Sequence, residues 1–348
     1  MRTGIVIVGR NEGSRLRLCL DSALGQGLPT IYVDSGSTDG SVALARQLRC
    51  DVHELSPDLP FSAARARNEG LEALMQANPG LALVQFLDGD SALQDDWIAD
   101  GMAALDADDR LCAVCGQIQE RNPQISIFNR FTAIEWYSPP GEVNSFGGIC
   151  LCRIEPLLGV GGFDASLVAG EEPELSARLR AAGSRILCLD RAMAIHDAGL
   201  LRFGDWLRRC TRTGYVYAQA CRRIEAGTDT LGWRPSLRVW FWSFALPAAI
   251  LVALYTTPPY ALIAVILYLF QTLRVAVGIH ERGLNWSDAL LYGLLWHVSQ
   301  FAQWKGQCQY LVHLLMGRAP LVRDRTTSAM TSVFDKRVVA DNDQERDI

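Results

Sequence analysis

The chain has 348 residues with a net charge of -5. That length holds one large domain with an appendage, or two domains, and the acidic balance excludes the basic footprint of a nucleic-acid-binding surface, so no nucleic-acid partner is expected. The 10 cysteines read as free thiols of a cytoplasmic protein; "CAVC" from Cys112 and "CLC" from Cys150 lie in apolar, strand-like surroundings without a nearby His, which favours small core residues over zinc.

The opening "MRTGIVIVGRNEG" passes directly into a strand and a turn, with no signal-peptide pattern, so the N-terminal half is expected to stay inside the cell. "EGSRLRLCLDSALGQ" has helical spacing, "TIYVDSGSTDGS" is a strand running into a polar turn, and "SVALARQLR" is helical again. This alternation predicts a mostly parallel sheet with helices on both faces. Such sheets bind ligands beyond the carboxyl ends of their strands. Three strand ends carry polar residues to that edge: Arg10, Asn11 and Glu12 after the first, Asp34 to Asp39 after the second, and Asp88 with Asp90 after the run "LALVQF". The "LDGDS" at the last of these is a turn sequence. Its two carboxylates also suit a hard cation such as Mg2+ or Mn2+, which takes oxygen ligands. No Gly-x-Gly-x-x-Gly follows the first strand and no P-loop occurs, which argues against a dehydrogenase or a P-loop ATPase. Carboxylates gathered at the sheet edge match instead the hydroxyls and base N–H groups of a nucleotide whose phosphates bind a metal.

Further on, "GEEPELSARLRAAG" places Glu171 and Glu172 in what reads as the charged first turn of a helix, with Pro173 beside them. His196 in "AIHDAG" follows another apolar run and is open to packing or to metal ligation. "GDWLRRCTRTGYVYAQACRR" is basic, and Arg208, Arg209 and Arg212 suit either a face beside a membrane or a phosphate.

The character changes near residue 236. Val239 to Tyr255 and Tyr260 to Leu273 are uncharged runs separated by "TTPP", with Trp240, Trp242, Tyr255 and Tyr260 near their ends. Residues 236–278 are therefore expected to form a transmembrane hairpin, the alternative being two buried core helices. Arg222, Arg223, Arg234 and Arg238 precede it and Arg274 and Arg282 follow, so both flanks are expected in the cytoplasm, as in a multi-pass inner-membrane protein with its soluble domain, residues 1–235, on the cytoplasmic side. Residues 286–317 are interrupted by His297, Gln300, Gln303, Lys305, Gln307 and Gln309, a pattern for an interfacial amphipathic helix, possible also as two pieces broken at Gly306. Residues 318–348 read as a charged, partly disordered tail.

Six segments in order, "IVIVGRNEGSRLRLCLDSALGQ", "IYVDSGSTDGSVALARQL", "AARARNEGLEAL", "VQFLDGDS", "GGICLCRIEPLLGVGGFDASLVAGEEPELSARLRAAGSRI" and "AIHDAG", resemble the family 2 glycosyltransferases of GT-A type nucleotide-diphosphosugar fold. The resemblance implies transfer of a sugar, with inversion, from a UDP- or GDP-sugar, dependent on Mn2+ or Mg2+. A lipid-linked or other amphiphilic acceptor is expected because a membrane segment follows the catalytic part. By the same resemblance Asp34 holds the nucleobase, and Asp39 serves the ribose or the turn. Glu12, Arg67 and Asn68 line the donor side. Asp90 is the more direct metal ligand, Asp88 reaches metal or ribose, and His196 completes the metal shell. Glu172 stands where the family usually has Asp and is the expected general base, with its neighbour Glu171 the alternative. A polyprenyl-phosphate glycosyltransferase and a silent nucleotide-binding scaffold are the competing readings; the intact "DGD", "GEEPEL" and "AIHDAG" count against the scaffold. The absence of Gln-x-x-Arg-Trp counts against a processive synthase.

Overall fold

The computed structural model describes residues 2–167, 169–222 and 233–317, so the tail expected over 318–348, and Arg223, lie outside the described residues. The chain forms two compact units: Met1–Asn122 with Trp136–Ala198, and Pro123–Glu135 with the described residues from Gly199 onward. The boundary expected at residue 235 thus falls near 198, and 123–135 is an excursion of the first unit's sequence into the second.

The first unit contains β1 (Thr3–Gly9), α1 (Ser14–Leu24), β2 (Thr30–Asp34), α2 (Ser41–Gln47), β3 (Asp51–Glu54), α3 (Ala63–Ala77), β4 (Leu83–Asp88), β5 (Ser91–Leu93), α4 (Trp97–Ala107) and β6 (Leu111–Glu120). After α5 (Ile127–Glu135), which belongs to the second unit, it continues with β7 (Gly141–Glu142), β8 (Cys150–Arg153), α6 (Ile154–Gly159), α7 (Glu171–Ala181) and β9 (Arg185–His196). The sheet order is β3-β2-β1-β4-β8-β6-β9-β5, with β7 on β9. β3, β2, β1 and β4 run parallel, as do β6 and β9, while β8 lies antiparallel between β4 and β6. Ile5, Val6 and Ile7 of β1 are fully buried, as a continuous apolar run between two helical layers requires. Gly70 lets α3 lie close on the sheet, for a Cβ there would stand 2.5 Å from a Val33 methyl and 2.7 Å from a Val6 methyl. In the core, Trp97 Nε1 donates to Gln85 Oε1 at 2.8 Å, satisfying both groups. All cysteines are free thiols, as expected.

Register sets the site. Gly9 pairs with Asp34 and Val8 with Asp88, so the two aspartates end neighbouring strands at one edge. β5 runs antiparallel to β9 and pairs Ser91 with His196, which returns the histidine to the residue after the acidic turn.

The second unit holds α5, α8 (Phe203–Arg222), α9 (Trp233–Trp240), α10 (Leu246–Thr256), α11 (Pro258–His280) and α12 (Trp286–Leu315). A wider helical turn over Phe241–Ala245 joins α9 to α10, so Trp233–Thr256 is one rod. Among the described residues it alone is long and apolar enough to cross a membrane, and only 17% of its apolar window is buried, unlike a soluble core helix. The second limb of the expected hairpin offers only the shorter apolar stretch Val265–His280, so a two-span arrangement is not supported.

α12 also departs from expectation. It runs unbroken through Gly306, and Ser299, Gln300, Gln303 and Gln307 are buried inside the unit rather than turned toward a headgroup layer. The reason is backbone proximity to α8: a Cβ on Gly306 would fall on the carbonyl oxygen of Thr211, and one on Gly214 on that of Gln303. Gly306→Ala should therefore push α8 and α12 apart and cost about 1–3 kcal/mol, read as a lower thermal unfolding midpoint in detergent. Gly278→Ala, with nothing within 4 Å of the new Cβ, should leave the midpoint unchanged or raise it.

Candidate active site

The loops after β1 and β2 are locked together. Asn11 adopts φ 54°, its N–H donating to Ser37 Oγ at 2.9 Å and its Oδ1 accepting from Thr38 N at 2.7 Å. Asp34 is buried, and its carboxylate accepts from Tyr32 Oη at 3.0 Å, Gly36 N at 2.9 Å and Ser37 N at 2.7 Å. This is the turn role of Asp34 in full. Asp39 accepts from Gly13 N at 2.9 Å and from Ser41 N and Oγ at 3.1 and 2.6 Å. Partial burial works to raise its pKa, but these bonds outweigh it and hold the carboxyl below its usual range.

Beside this edge Asp88, Asp90 and His196 bring their ligand atoms within 4.8 Å of one another. His196 Nε2 meets Asp90 Oδ1 at 3.1 Å, its ring lies edge-on to Trp136 with centroids 4.3 Å apart, and its buried Nδ1 has no partner. Burial opposes ionisation of Asp90, but the His196 hydrogen bond and charge, with Arg15, keep its pKa below the usual value. Two carboxylates and an imidazole at a strand end fit a divalent cation such as Mn2+ or Mg2+. Arg15 was not legible as a site residue. Its Nη2 donates to Glu12 Oε2 at 2.8 Å, its Nη1 to the Asp197 carbonyl at 3.4 Å, and it stands 3.9 Å from Asp90. Glu12 is thereby held against the cluster, where burial and then the Asp90 charge push its pKa up to about 7. The only sequence signal for Arg15 is its spacing of three residues from Glu12 at the start of α1.

The acidic motif and the metal-type cluster meet through one guanidinium. Arg67, on α3 and almost fully buried, donates from Nη1 to Glu171 Oε1 at 2.8 Å and from Nη2 to Asp88 Oδ1 at 3.0 Å, and stands 3.2 Å from Glu172 Oε1. Its carbon centre lies 5.4 Å over the Phe163 ring. Burial would lower its pKa, but the three carboxylates outweigh that and raise it. Glu172, at the N-terminus of α7, is pushed up to about 7 by burial and then by the charge of Glu171, against Arg67. Burial likewise raises Asp88, opposed chiefly by Arg67. Gly148 closes the cluster: a Cβ there would stand 2.8 Å from Asp88 Oδ2 and 3.2 Å from Arg67 Nη2. Nothing in the sequence distinguishes that glycine from its neighbour. Asn68 exchanges two hydrogen bonds with the Phe163 backbone, at 2.7 and 3.0 Å, and so fixes the loop before α7. Asp34, Asp88, Asp90 and His196 thus gather at the carboxyl edge, with Glu171 and Glu172 joined to Asp88 through Arg67, while Asn68 is engaged with the Phe163 backbone.

Residues 4–146 match the family model Glycosyl transferase family 2. Over that segment the chain resembles the family 2 glycosyltransferases. A pre-mycofactocin glycosyltransferase of Mycobacterium tuberculosis is 29% identical over 222 residues, 59% of this chain and 44% of that relative. The succinoglycan biosynthesis protein ExoA of Rhizobium meliloti is 27% identical over 212 residues, 55% of this chain and 62% of the relative. The chain therefore spans under half the length of the first relative and under two thirds of the second. Among solved structures, the mannosyltransferase PcManGT of Pyrobaculum calidifontis, in complex with GDP-Man and Mn2+, superposes with a TM-score of 0.55 at 18% identity over 89% of this chain and 87% of that one. The shared architecture is the α/β GT-A fold.

Arg67→Met leaves three crowded carboxylates without their cation and should destabilise the first unit by about 3–5 kcal/mol. The pH sense follows from the acids. Without Arg67 the pKa values of Asp88 and Glu172 rise further above their unfolded values, so the folded unit keeps protons that the unfolded chain releases. Stability is then lost as pH rises through those raised values, and the gap in unfolding midpoint from wild type should be wider at pH 8 than at pH 5.

Proposed function

We propose that the protein transfers a sugar from a UDP- or GDP-sugar to a hydroxyl of a lipid-linked or other amphiphilic acceptor, with inversion, in the synthesis of a glycan. The observation that carries the proposal is the sharing of Arg67 between Asp88 of the metal-type cluster and Glu172 of the acidic motif, at 3.0 and 3.2 Å. That arrangement fixes a candidate base beside a candidate phosphate site, as displacement at a sugar carbon needs.

In this reading Asp88, Asp90 and His196 hold Mn2+ or Mg2+, which when bound neutralises the charge of the donor diphosphate. The interlocked loops carrying Asn11, Asp34 and Asp39 form the nucleoside end, with Asp34 shaping the turn as much as touching the base. Arg15 and Glu12 orient Asp90. Glu172 accepts the proton of the acceptor hydroxyl; with a pKa near 7 it is substantially ionised at neutral pH and still basic enough to take a proton. Arg67 and Asn68 act as positioning residues, the first for the carboxylates and the second for the loop before α7. Attachment to the cytoplasmic face of the inner membrane would run through Trp233–Thr256, whose exposed Leu251, Val252 and Leu254 need an apolar surrounding. The relatives, a pre-mycofactocin glycosyltransferase and a succinoglycan biosynthesis protein, support glycan synthesis as the setting.

Incubation with a panel of nucleotide-sugars, Mn2+ and a membrane extract as acceptor, with released nucleotide measured, tests the proposal. Asp90→Ala should lose Mn2+ binding and turnover while remaining folded, and full turnover in excess EDTA would overturn the metal assignment. Glu172→Gln should bind donor and Mn2+ normally but transfer at least about a hundredfold more slowly. If Glu171→Gln were the impaired variant instead, the base would be Glu171. Because the carboxylate is the working form, kcat/KM of the wild type should fall as pH drops below about 7, and Glu172→Gln should lack that limb.

A further inference from the structure

A cavity of about 360 Å³ lies wholly within the helical unit, walled by α5, α8, α9 and α12. This is the low end of small-molecule sites, which run from about 300 to 1,000 Å³, large enough for a head group and too small for a whole lipid. Its charged wall consists of Arg209, Arg238 and Glu135. Glu135 is spent on its neighbours: Tyr292 Oη donates to it at 3.0 Å and Arg209 stands 3.5 Å away, with Arg209 Nη1 also donating to Thr132 Oγ1 at 2.8 Å. Arg238 makes no salt bridge to a carboxylate among the described residues, and its guanidinium lies 6.0 Å from the Trp296 ring centroid. Two guanidiniums against one carboxylate leave the cavity net positive.

The same wall holds unused hydrogen-bonding groups. Gln300 and Gln303 both line the cavity, both are at least nine-tenths buried, and the Oε1 of each has no partner. An unmade bond at a buried polar atom costs about 1–3 kcal/mol, so two carboxamides kept in this state are poor core material. They are suitable groups for a ligand, because a half-turn of either amide offers N–H donors to an oxyanion while its oxygen accepts from a hydroxyl. The helix that carries Arg238 supplies the apolar part. Leu237, Phe241 and Phe244 are exposed at helical spacing along it, followed by Leu251 and Val252.

We infer that this cavity binds the phosphoryl head of an amphiphile, with Arg238 and Arg209 on the phosphoryl oxygens, Gln300 and Gln303 on adjoining polar groups, and the tail along the exposed stripe of Trp233–Thr256. The inference deepens the proposed acceptor class and rests on that reading only for the name acceptor; binding itself is independent of sugar transfer.

The test is native mass spectrometry of the full chain in a neutral detergent, titrated with tetradecyl phosphate, tetradecanol and inorganic phosphate. Tetradecyl phosphate should bind at least tenfold more tightly than either of the others. Arg238→Gln, at an exposed position outside the core, should weaken it about tenfold or more, Arg238→Lys less, and Gln303→Leu severalfold, with unfolding midpoints recorded for each. Equal binding of tetradecanol would remove the phosphoryl head from the proposal, equal binding of inorganic phosphate would remove the tail, and undiminished binding in Arg238→Gln would remove the cavity. A chain that bound tetradecyl phosphate yet released no nucleotide from any donor would overturn sugar transfer and leave this site standing.

Discussion

The sheet-bearing unit depends on one buried cation. Arg67 sits where three carboxylates converge, and without it Asp88, Glu171 and Glu172 would not tolerate one another in so little water. The guanidinium is suited to this because its fork of donors is planar and always charged, so it satisfies several acceptors at fixed angles. A consequence is that the strand end bearing Asp88, the start of α7 and the Gly148 backbone are held as one piece, Arg67 Nη2 lying 3.4 Å from the Gly148 carbonyl. Groups held in this way keep a fixed separation without reorganising, which is what preorganisation means in physical terms.

The second organising device is strand direction. β4 delivers Asp88 in parallel register with β1, and β5 then turns to pair antiparallel with β9, so that Ser91 faces His196. Within the space of a turn the fold brings together residues more than a hundred positions apart. Glu12 and Arg15 support the cluster from the loop after β1 and the start of α1, and the unpartnered Nδ1 of His196 leaves that ring a capacity that the protein itself does not use.

The helical unit follows a different rule. Its closest contact is made by backbone, with Gly214 on α8 and Gly306 on α12 letting two helices approach until a methyl on either would strike a carbonyl. Beside a small apolar cluster that includes Phe131, Ile279 and Leu284, the polar side chains Ser299, Gln300, Gln303 and Gln307 are enclosed between helices, while many large apolar ones face outward. An enclosed polar space beside an apolar exterior is the physical condition for receiving a molecule that is itself polar at one end and apolar along its length.

The sequence alone determined the alternation of strands and helices, the carboxyl edge as the site, and the pairing of Asp88 with Asp90, because period and turn chemistry are local properties. The six motifs in order were likewise enough for the family resemblance, and the burial of β1 follows from its continuous apolar run. What only the tertiary structure decided depends on distance between residues remote in the chain. Arg67 and Asn68 read as donor-lining residues, yet packing turns them inward onto acids and a loop. The glutamines of α12 read as an interfacial stripe, yet the glycine contacts bury them against α8. The same holds for the boundary near residue 198 and for Arg15 and Gly148, since a sequence specifies each residue's chemistry but its neighbours, and hence which charges it meets and how much water remains, are set by the fold.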